Sequence, residues 1–280
     1  MSSILTNNGA MVALQTLKGI NSNLAKTQDQ ISTGKKVANA QDNAAVWAIS
    51  KVMEQDQSSF KTIQSNLNLA ESVVTTGRKG AEQVRDLLQE MSDLAASVAS
   101  DANDYATVNS QIVAKKNQIT AIIDASQMNG VNLLKTNPIP GQTDFSVLAS
   151  MDRTSGTVAT SKVSITVASV DFEADIEAAT VTTITDRASA LTALGEIEAL
   201  VNIAKVGAAD LGTSAKRIND QSNFVSGLAD ALKSGVGALV DADMEEASAR
   251  LQALQTQQQL GIQALSIANQ APQTILALFK

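Results

Sequence analysis

"FKTIQSNLNLAESVVTTGRKGAEQVRDLLQEMSDLAASV", residues 60–98, sets an apolar or small residue at alternating steps of three and four: Phe60, Ile63, Leu67, Ala70, Val74, Gly77, Ala81, Val84, Leu88, Met91, Ala95 and Val98. That alternation keeps one stripe on one face of a helix and is the mark of coiled-coil packing, whereas a strand would alternate every second residue. The rhythm reaches back through Asp56, Met53 and Ile49 to Val46 and forward to Ala102. At 1.5 Å per residue the helix expected is roughly 85 Å long. A helix of that length cannot bury its stripe on itself. A matching stripe runs in the second half from Leu194 through Ile197, Val201, Ala204, Ala208, Leu211, Ala215, Ile218, Ser222, Val225, Ala229, Leu232 and Val236 to Leu239. The two are expected to lie side by side.

Working outward, Asn103-Asp104 is a capping pair before a third helix through Tyr105, Val108, Ile112, Ile119 and Ile122. A tight connection would make it antiparallel to the long helix, and Asn129-Gly130 supplies a left-handed turn to end it. Between about 135 and 185 the chain turns to Thr, Ser, Val and Gly. Val163, Ile165 and Val167 alternate there after Thr154-Ser155-Gly156, which reads as short strands. A short stripe, Leu14, Leu17, Asn21, Leu24, Gln28 and Ile31, opens the chain. The fold expected is mainly α: an elongated antiparallel helical hairpin or coiled-coil rod with paired terminal helices and a small central β element. Its domains would be 1–42 with 241–280, the terminal pair, and 43–240, the rod, with its β and loop region at about 135–185.

Composition narrows the function. Apolar residues make up 44% of the 280, enough for a sizeable core, but aromatics only 2%, so small aliphatic side chains must supply the packing. Such a chain is poorly equipped to stack bases, and a net charge of −7 argues against a nucleic-acid partner. With neither Cys nor His, disulfides, thiolate metal sites and the commonest general base are all excluded. Adjacent carboxylates such as Asp241 with Asp243, or Glu245 with Glu246, read as solvated helix-face residues, and no EF-hand spacing is present. No enzyme activity, cofactor or metal is expected. The start, MSSILTNNGAM, has no basic segment followed by an apolar one, so no cleavable secretion signal is expected.

Residues 251–279 carry no charge, yet Gln252, Gln255, Gln257, Gln258, Gln259 and Gln263 interrupt every apolar run. A membrane-spanning helix needs about 20 predominantly apolar residues, so this segment is not one. Residues 1–40 hold four lysines against one aspartate, and residues 241–280 two cations against four acids. Opposite signs favour pairing of the ends, although exposed pairs contribute only about 0–1 kcal/mol each. Two thin helices bury too little surface to offset chain entropy. The terminal pair is therefore expected to become fully ordered only against other copies of itself.

At both ends the sequence resembles bacterial flagellin. NNGAMVALQTL, then Ile31 to Ala45 (ISTGKKVANAQDNAA), is similar to the family's N-terminal helix with its Ser-Ser-Gly-x-Arg-Ile and Asp-Asp-Ala-Ala signatures. Val240-Asp241-Ala242-Asp243 onward to Phe279 resembles its C-terminal helix, and Gln127 to Leu134 (QMNGVNLL) its Phe-Asn-Gly-x-x-Leu-Leu turn, with Met128 for Phe. The resemblance covers roughly 1–134 and 190–280. It implies a secreted subunit of the extracellular flagellar filament, exported unfolded through the flagellar type III apparatus with a secretion chaperone. Its partners would be its own copies in a helical homopolymer, together with hook-associated and cap proteins, and neither nucleic acid nor membrane. The short middle segment implies no large outer domain. A hook-filament junction protein and a signalling coiled coil are the alternative readings.

The resemblance also implies sites. Leu14, Leu17, Leu24, Ile31, Leu251, Leu254, Ile262, Leu265, Leu276 and Phe279 are expected to build the filament core, with Gln257 and Gln259 lining its channel. Gln83, Val84, Arg85, Asp86 and Leu87 fall where many flagellins carry a segment bound by a vertebrate Toll-like receptor, Gln83 replacing an Arg. Thr143, Ser146, Ser150 and Thr154 are candidates for O-glycosylation, with turn and strand formation as the simpler reading of the same residues. Departures from the family pattern are Lys36 for Arg, Asn43 for the second Asp of Asp-Asp-Ala-Ala, and Ala238 for the Arg before the acidic motif, which puts particular salt bridges in doubt. Pro272 is expected to bend the last helix mildly.

Overall fold

A computed structural model describes residues 7–99, 104–151, 153–154, 157–158 and 163–278, with 153–154, 157–158 and 271–278 described by their backbone alone. The fold is mainly α with small antiparallel β pairs. The chain divides into two compact units, Ser58–Ala229 and Met1–Gln57 with Asp230–Lys280.

In the unit Ser58–Ala229 the core follows the three-four stripe. Helix α2 (Ala44–Val98) contributes Phe60, Ile63, Leu67, Val74, Ala81, Val84, Leu88, Met91, Ala95 and Val98, all buried. Helix α4 (Arg187–Val240) answers with Ala190, Ile197, Ala204, Leu211, Ile218 and Val225, each at most 1% exposed. These stand seven residues apart, the repeat that knobs-into-holes packing requires. Polar bonds fix the antiparallel register: the Ser222 hydroxyl lies 2.9 Å from Asn68 Oδ1, and Asn219 Nδ2 donates to Glu71 Oε1 at 3.0 Å.

Helix α3 (Tyr105–Ala125) starts at Asp104, whose carboxylate accepts the Thr107 N–H at 3.2 Å. It buries Val108, Ile112, Ile119 and Ile123; Ile123 takes the core position expected of Ile122, which is half-buried. The helix also stops earlier than Asn129-Gly130: Ser126 is its C-cap, with a φ of −75°. Asn129 (φ 52°) and Gly130 (φ 77°) instead make a separate tight turn in which Met128 and Val131 exchange N–H···O bonds of 2.9 and 3.0 Å. Positive φ at both central residues is the primed hairpin turn that Asn-Gly favours. Buried Asn132 then donates to the Ile123 carbonyl at 2.6 Å and accepts the Leu134 N–H at 3.0 Å. Leu133 and Leu134 are thereby driven into the core.

Two glycines of α2 make room for that turn. A Cβ on Gly77 would come within 3.2 Å of Leu133 Cβ, and one on Gly80 within 2.1 Å of Ser126 Oγ. Strands β1 (Asp144–Ser150) and β4 (Val163–Ala168) pair antiparallel, with a bulge near Leu148, and bury Val147, Ala149, Ile165 and Val167 on one face. Strands β2 (Arg153–Thr154) and β3 (Thr157–Val158) form a second small pair. A π-helical turn, Glu173–Glu177, follows the fully buried Phe172. A strap then runs to α4, held by Asn109 to both backbone groups of Ile184 and by Glu196 to Thr182. Asp186 and Ser189 cap α4 reciprocally: Ser189 N–H donates to Asp186 Oδ1 at 2.8 Å, and the Asp186 N–H to Ser189 Oγ at 2.9 Å.

The other unit contains α1 (Asn8–Thr33), the beginning of α2, the end of α4 and α5 (Met244–Leu278). Gly34 ends α1 in the left-handed conformation, φ 69°. Its carbonyl accepts the Ala242 N–H at 2.9 Å, while the Lys36 N–H donates to the Val240 carbonyl at 2.7 Å. The Lys35–Asp241 bridge thus ties the exit of α1 to the turn between α4 and α5. Asn43 stands at the start of α2 and accepts the Val46 N–H at 3.2 Å. The expected Asp is not needed for that cap, since Asn and Asp cap helices about equally well. Asp243 does the same for α5, accepting from Glu245 and Glu246. The helix continues through Pro272.

Candidate assembly surfaces

Helices α1 and α5 pack antiparallel, and their contacts show how a charge-free segment pairs with a lysine-bearing one. Gly261 lets the axes approach: a Cβ there would lie 3.0 Å from Leu17 Cδ1 and 3.8 Å from Ile20 Cδ1. Asn21, in the apolar stripe of α1, accepts from Gln258 Nε2 at 2.7 Å, and Asn7 donates to the Ala268 carbonyl at 2.7 Å. Neutral amides therefore satisfy one another across the pair without a desolvated charge. Asn7 also caps α1, accepting the Ala10 N–H at 3.1 Å.

The seam buries little. Leu254 is buried, and Leu17, Leu24, Ile31, Leu251 and Leu265 are half-buried. Leu14 and Ile262, expected to face a neighbour, face solvent in the single chain. Met11 and Val12 on α1 and Leu260 and Ile267 on α5 join them, and these six side chains are 54–69% exposed. Leu276 lies in α5 where only the backbone is described, and Phe279 lies outside the described residues. Sequence reading missed Met11, Val12, Leu260 and Ile267 because it sought one stripe per helix. The available signal was the seven-residue spacing of Leu260 and Ile267 on a different face from Leu254.

Beside the pair, a cavity of about 530 Å³ is lined by Lys26, Lys36 and Arg250 against Asp42. Asp42 Oδ2 accepts the N–H groups of Ala38 and Asn39 at 3.1 and 3.2 Å, and Arg250 pairs with Glu246 at 2.8 Å. At the family's Arg position Lys36 is exposed; it is Lys35 that reaches an acid, Glu54, at 3.8 Å. A hydrogen bond from Lys51 at 2.6 Å, helped by the charges of Lys51 and Lys35, holds the Glu54 carboxyl below its ordinary 4.5.

Two family models match: the bacterial flagellin N-terminal helical region over residues 4–138 and the C-terminal helical region over residues 194–279. The chain belongs to the bacterial flagellin family. A flagellin of Brucella melitensis is 37% identical over the whole of both chains, and flagellin FljK of Caulobacter vibrioides is 37% identical over all of this chain and 99% of its own. Flagellin C of Rhizobium meliloti is 34% identical, again over the full length of both. This flagellin is accordingly a structural subunit that assembles with its own copies into the extracellular flagellar filament used for swimming. Neither a junction protein nor a signalling coiled coil is favoured. No helix among the described residues is long and apolar enough to cross a membrane.

The remaining positions of this flagellin lie on α5, on α2 and in the β region. Gln257 and Gln259 are exposed on α5. In the receptor-like segment Val84 and Leu87 are buried in the helix core, while Gln83, Arg85 and Asp86 face out, Arg85 pairing with Asp86. Thr143 and Ser146 are exposed and Ser150 is half-buried; at Thr154 only the backbone is described.

Proposed function

We propose that α1 and α5 form the surface through which copies of this flagellin join, the observation carrying it being the six large apolar side chains that are more than half exposed, among the described residues, on a helix pair that buries so little between its own members. Exposed apolar patches of this kind mark association sites. A head-to-tail contact repeated without closure generates an open helical polymer. Residues 1–42 and 241–280 are in this reading the inner core, ordered fully only in the filament, and 43–240 the rod outside it, without a large outer domain. Leu14, Leu17, Leu24, Ile31, Leu251, Leu254, Ile262, Leu265, Leu276 and Phe279 supply the core contacts. Gln257 and Gln259 line the channel, where uncharged amides neither trap charged export substrates nor grip apolar ones.

The same reading has the chain pass unfolded through the type III export apparatus with a secretion chaperone, and meet hook-associated and cap proteins at the filament ends. It has no catalytic activity, supported by the absence of His and Cys. Among the glycosylation candidates whose side chains are described, Thr143 and Ser146 are exposed, and Gln83 weakens receptor recognition at Gln83–Leu87. The test is to add purified monomer to filament seeds at neutral pH and follow growth by electron microscopy. Growth is expected from the full chain and none after deletion of 251–280; filaments grown from the deleted chain would refute the assignment.

A further inference from the structure

The sequence holds two Asn-Gly pairs, Asn8-Gly9 and Asn129-Gly130, and such a pair is able to modify itself. The main-chain nitrogen of the glycine, once base has taken its proton, attacks the asparagine Cγ. The Cγ–Nδ2 bond breaks, ammonia leaves and a succinimide ring closes. Water then opens the ring at one of its two carbonyls, so that asparagine and water become aspartate or isoaspartate plus ammonia. Glycine offers the least hindered nitrogen because it has no Cβ. In an unfolded chain the two pairs are chemically alike, and only the fold separates them.

The separation lies in the torsion between Cα and C of the asparagine, which must bring the glycine nitrogen beside the asparagine Cβ before the ring closes. Asn129 and Gly130 have φ of 52° and 77°, the signature of a primed turn, in which ψ of the first central residue is about +30°. That setting turns the Gly130 nitrogen away from the Asn129 side chain. Both residues are exposed, and the Gly130 N–H meets no acceptor among the described residues. Water and base therefore have access, and geometry is what holds the reaction back. Rotation would break the two Met128–Val131 bonds and pull on Leu133 and Leu134, which are at most 1% exposed.

Asn8 is placed differently, as the first residue of α1. Helical ψ requires a smaller rotation to reach the ring geometry, and the end turns of helices open at almost no cost. The brace on this turn is Asn7, which accepts the Ala10 N–H at 3.1 Å.

We infer that Asn129 is a latent site of self-modification by deamidation, reactive in the unfolded chain and sealed once Leu133 and Leu134 are seated beside Gly77 and Gly80 of α2. Its isoaspartyl product does not rebuild the turn. Isoaspartate adds a methylene to the main chain, so Met128 and Val131 no longer face each other across two standard residues. Aspartate leaves the backbone as it was and accepts positive φ much as asparagine does. This site is independent of how copies of the chain join.

The test follows amide loss at both asparagines by peptide mass mapping of the full-length monomer, kept in mildly alkaline buffer with and without denaturing urea. In urea the two sites should react at similar rates. In the folded chain Asn129 should react roughly a hundredfold more slowly than Asn8, the order set by the small population in which a buried segment has opened. Equal rates at the two sites in the folded chain, or a rate at Asn129 that urea does not raise, overturns the proposal. Asn132→Ala, which removes the bonds to the Ile123 carbonyl and the Leu134 N–H, should speed the folded-state reaction at Asn129 and leave Asn8 unaffected. The comparison on the native chain decides the matter even where this variant does not fold. Finally, chains carrying Asn8→Gln are aged in urea and returned to native buffer. The isoaspartyl form should melt earlier than the fresh chain and Asn129→Asp should melt with it; an isoaspartyl form that melts with the fresh chain overturns the claim about the product.

Discussion

The two units use the same kind of sequence to different ends. In Ser58–Ala229 the stripe of α4 meets α2, and residues such as Leu211, Ile218 and Val225 are sealed from water. In the unit holding the termini, the stripe of α1 meets α5, yet Leu17, Leu24 and Ile31 stay half-exposed and Leu14 is open. A third and fourth layer make the difference: α3, the turn at Asn129-Gly130, the β1–β4 pair and the strap all cover the first unit's helices, and the second has only short neighbours around the root of its pair. An apolar stripe therefore identifies a surface that seeks a partner; whether the partner is in the same chain is a separate matter.

The strongest way to break this contrast is at the open stripe. Leu14→Glu combined with Ile262→Glu should abolish seeded filament growth while leaving thermal unfolding of the unit Ser58–Ala229 unchanged by circular dichroism; growth at the normal rate would remove the distinction between the units. Next, Leu211→Ala in the sealed core should cost about 2–5 kcal/mol in denaturant unfolding, as cavity-forming truncations do. Leu254→Ala in the same assay on monomer should cost clearly less, because its surroundings are half-open, and a comparable loss would mean that the α1–α5 pair is already a full core in the single chain.

Smaller effects probe the close approaches. Gly207→Ala should destabilise by about 1–3 kcal/mol, the usual cost of overpacking, since the new Cβ would lie 2.2 Å from Val170 Cγ1 and 2.7 Å from Phe172 Cε1. Gly195→Ala, in open space, should be neutral or stabilising in the same measurement. The smallest effect is electrostatic. The Ser189 backbone N–H, then its hydroxyl, then the Ala188 N–H hold the Asp186 carboxyl below its ordinary 3.8. A lowered folded value means that its contribution is complete above the unfolded pKa and disappears as pH falls through the folded one. Comparing melts of the native chain and Asp186→Asn from neutral to strongly acidic pH should show a difference that closes in acid; a constant difference would show that the ionised carboxylate adds nothing to the cap.

Helix existence was legible because three-four spacing is a local property, and so was the phase of α2, where residues 60–98 carried it without interruption. On α4 the reading was one residue off at alternate positions, since Ala193, Leu200 and Gly207 are buried where Leu194, Val201 and Ala208 were expected. Also legible were the strand alternation at Val163–Val167 and the cap at Asp104. The end of α3 was not, because the pull of Asn132 on the Ile123 carbonyl and the seating of Leu133 and Leu134 depend on α2 being adjacent. The roles of Gly77, Gly80 and Gly207 were equally hidden, since a glycine's neighbour through space has no trace in its neighbours along the chain. On α1 and α5 the uncharged tail was plain from composition, whereas the exposure of Leu14, Leu260, Ile262 and Ile267 in the single chain came only from the structure.

The sequence by itself determined that this is a mainly helical flagellin with a charge-free tail, because periodicity, the motifs at both ends and the lack of charge in the tail are all properties of order and composition. Only the tertiary structure decided which apolar residues are already covered. Burial depends on what lies across from a side chain, and that is settled by packing between segments more than a hundred residues apart, as between Asn68 and Ser222.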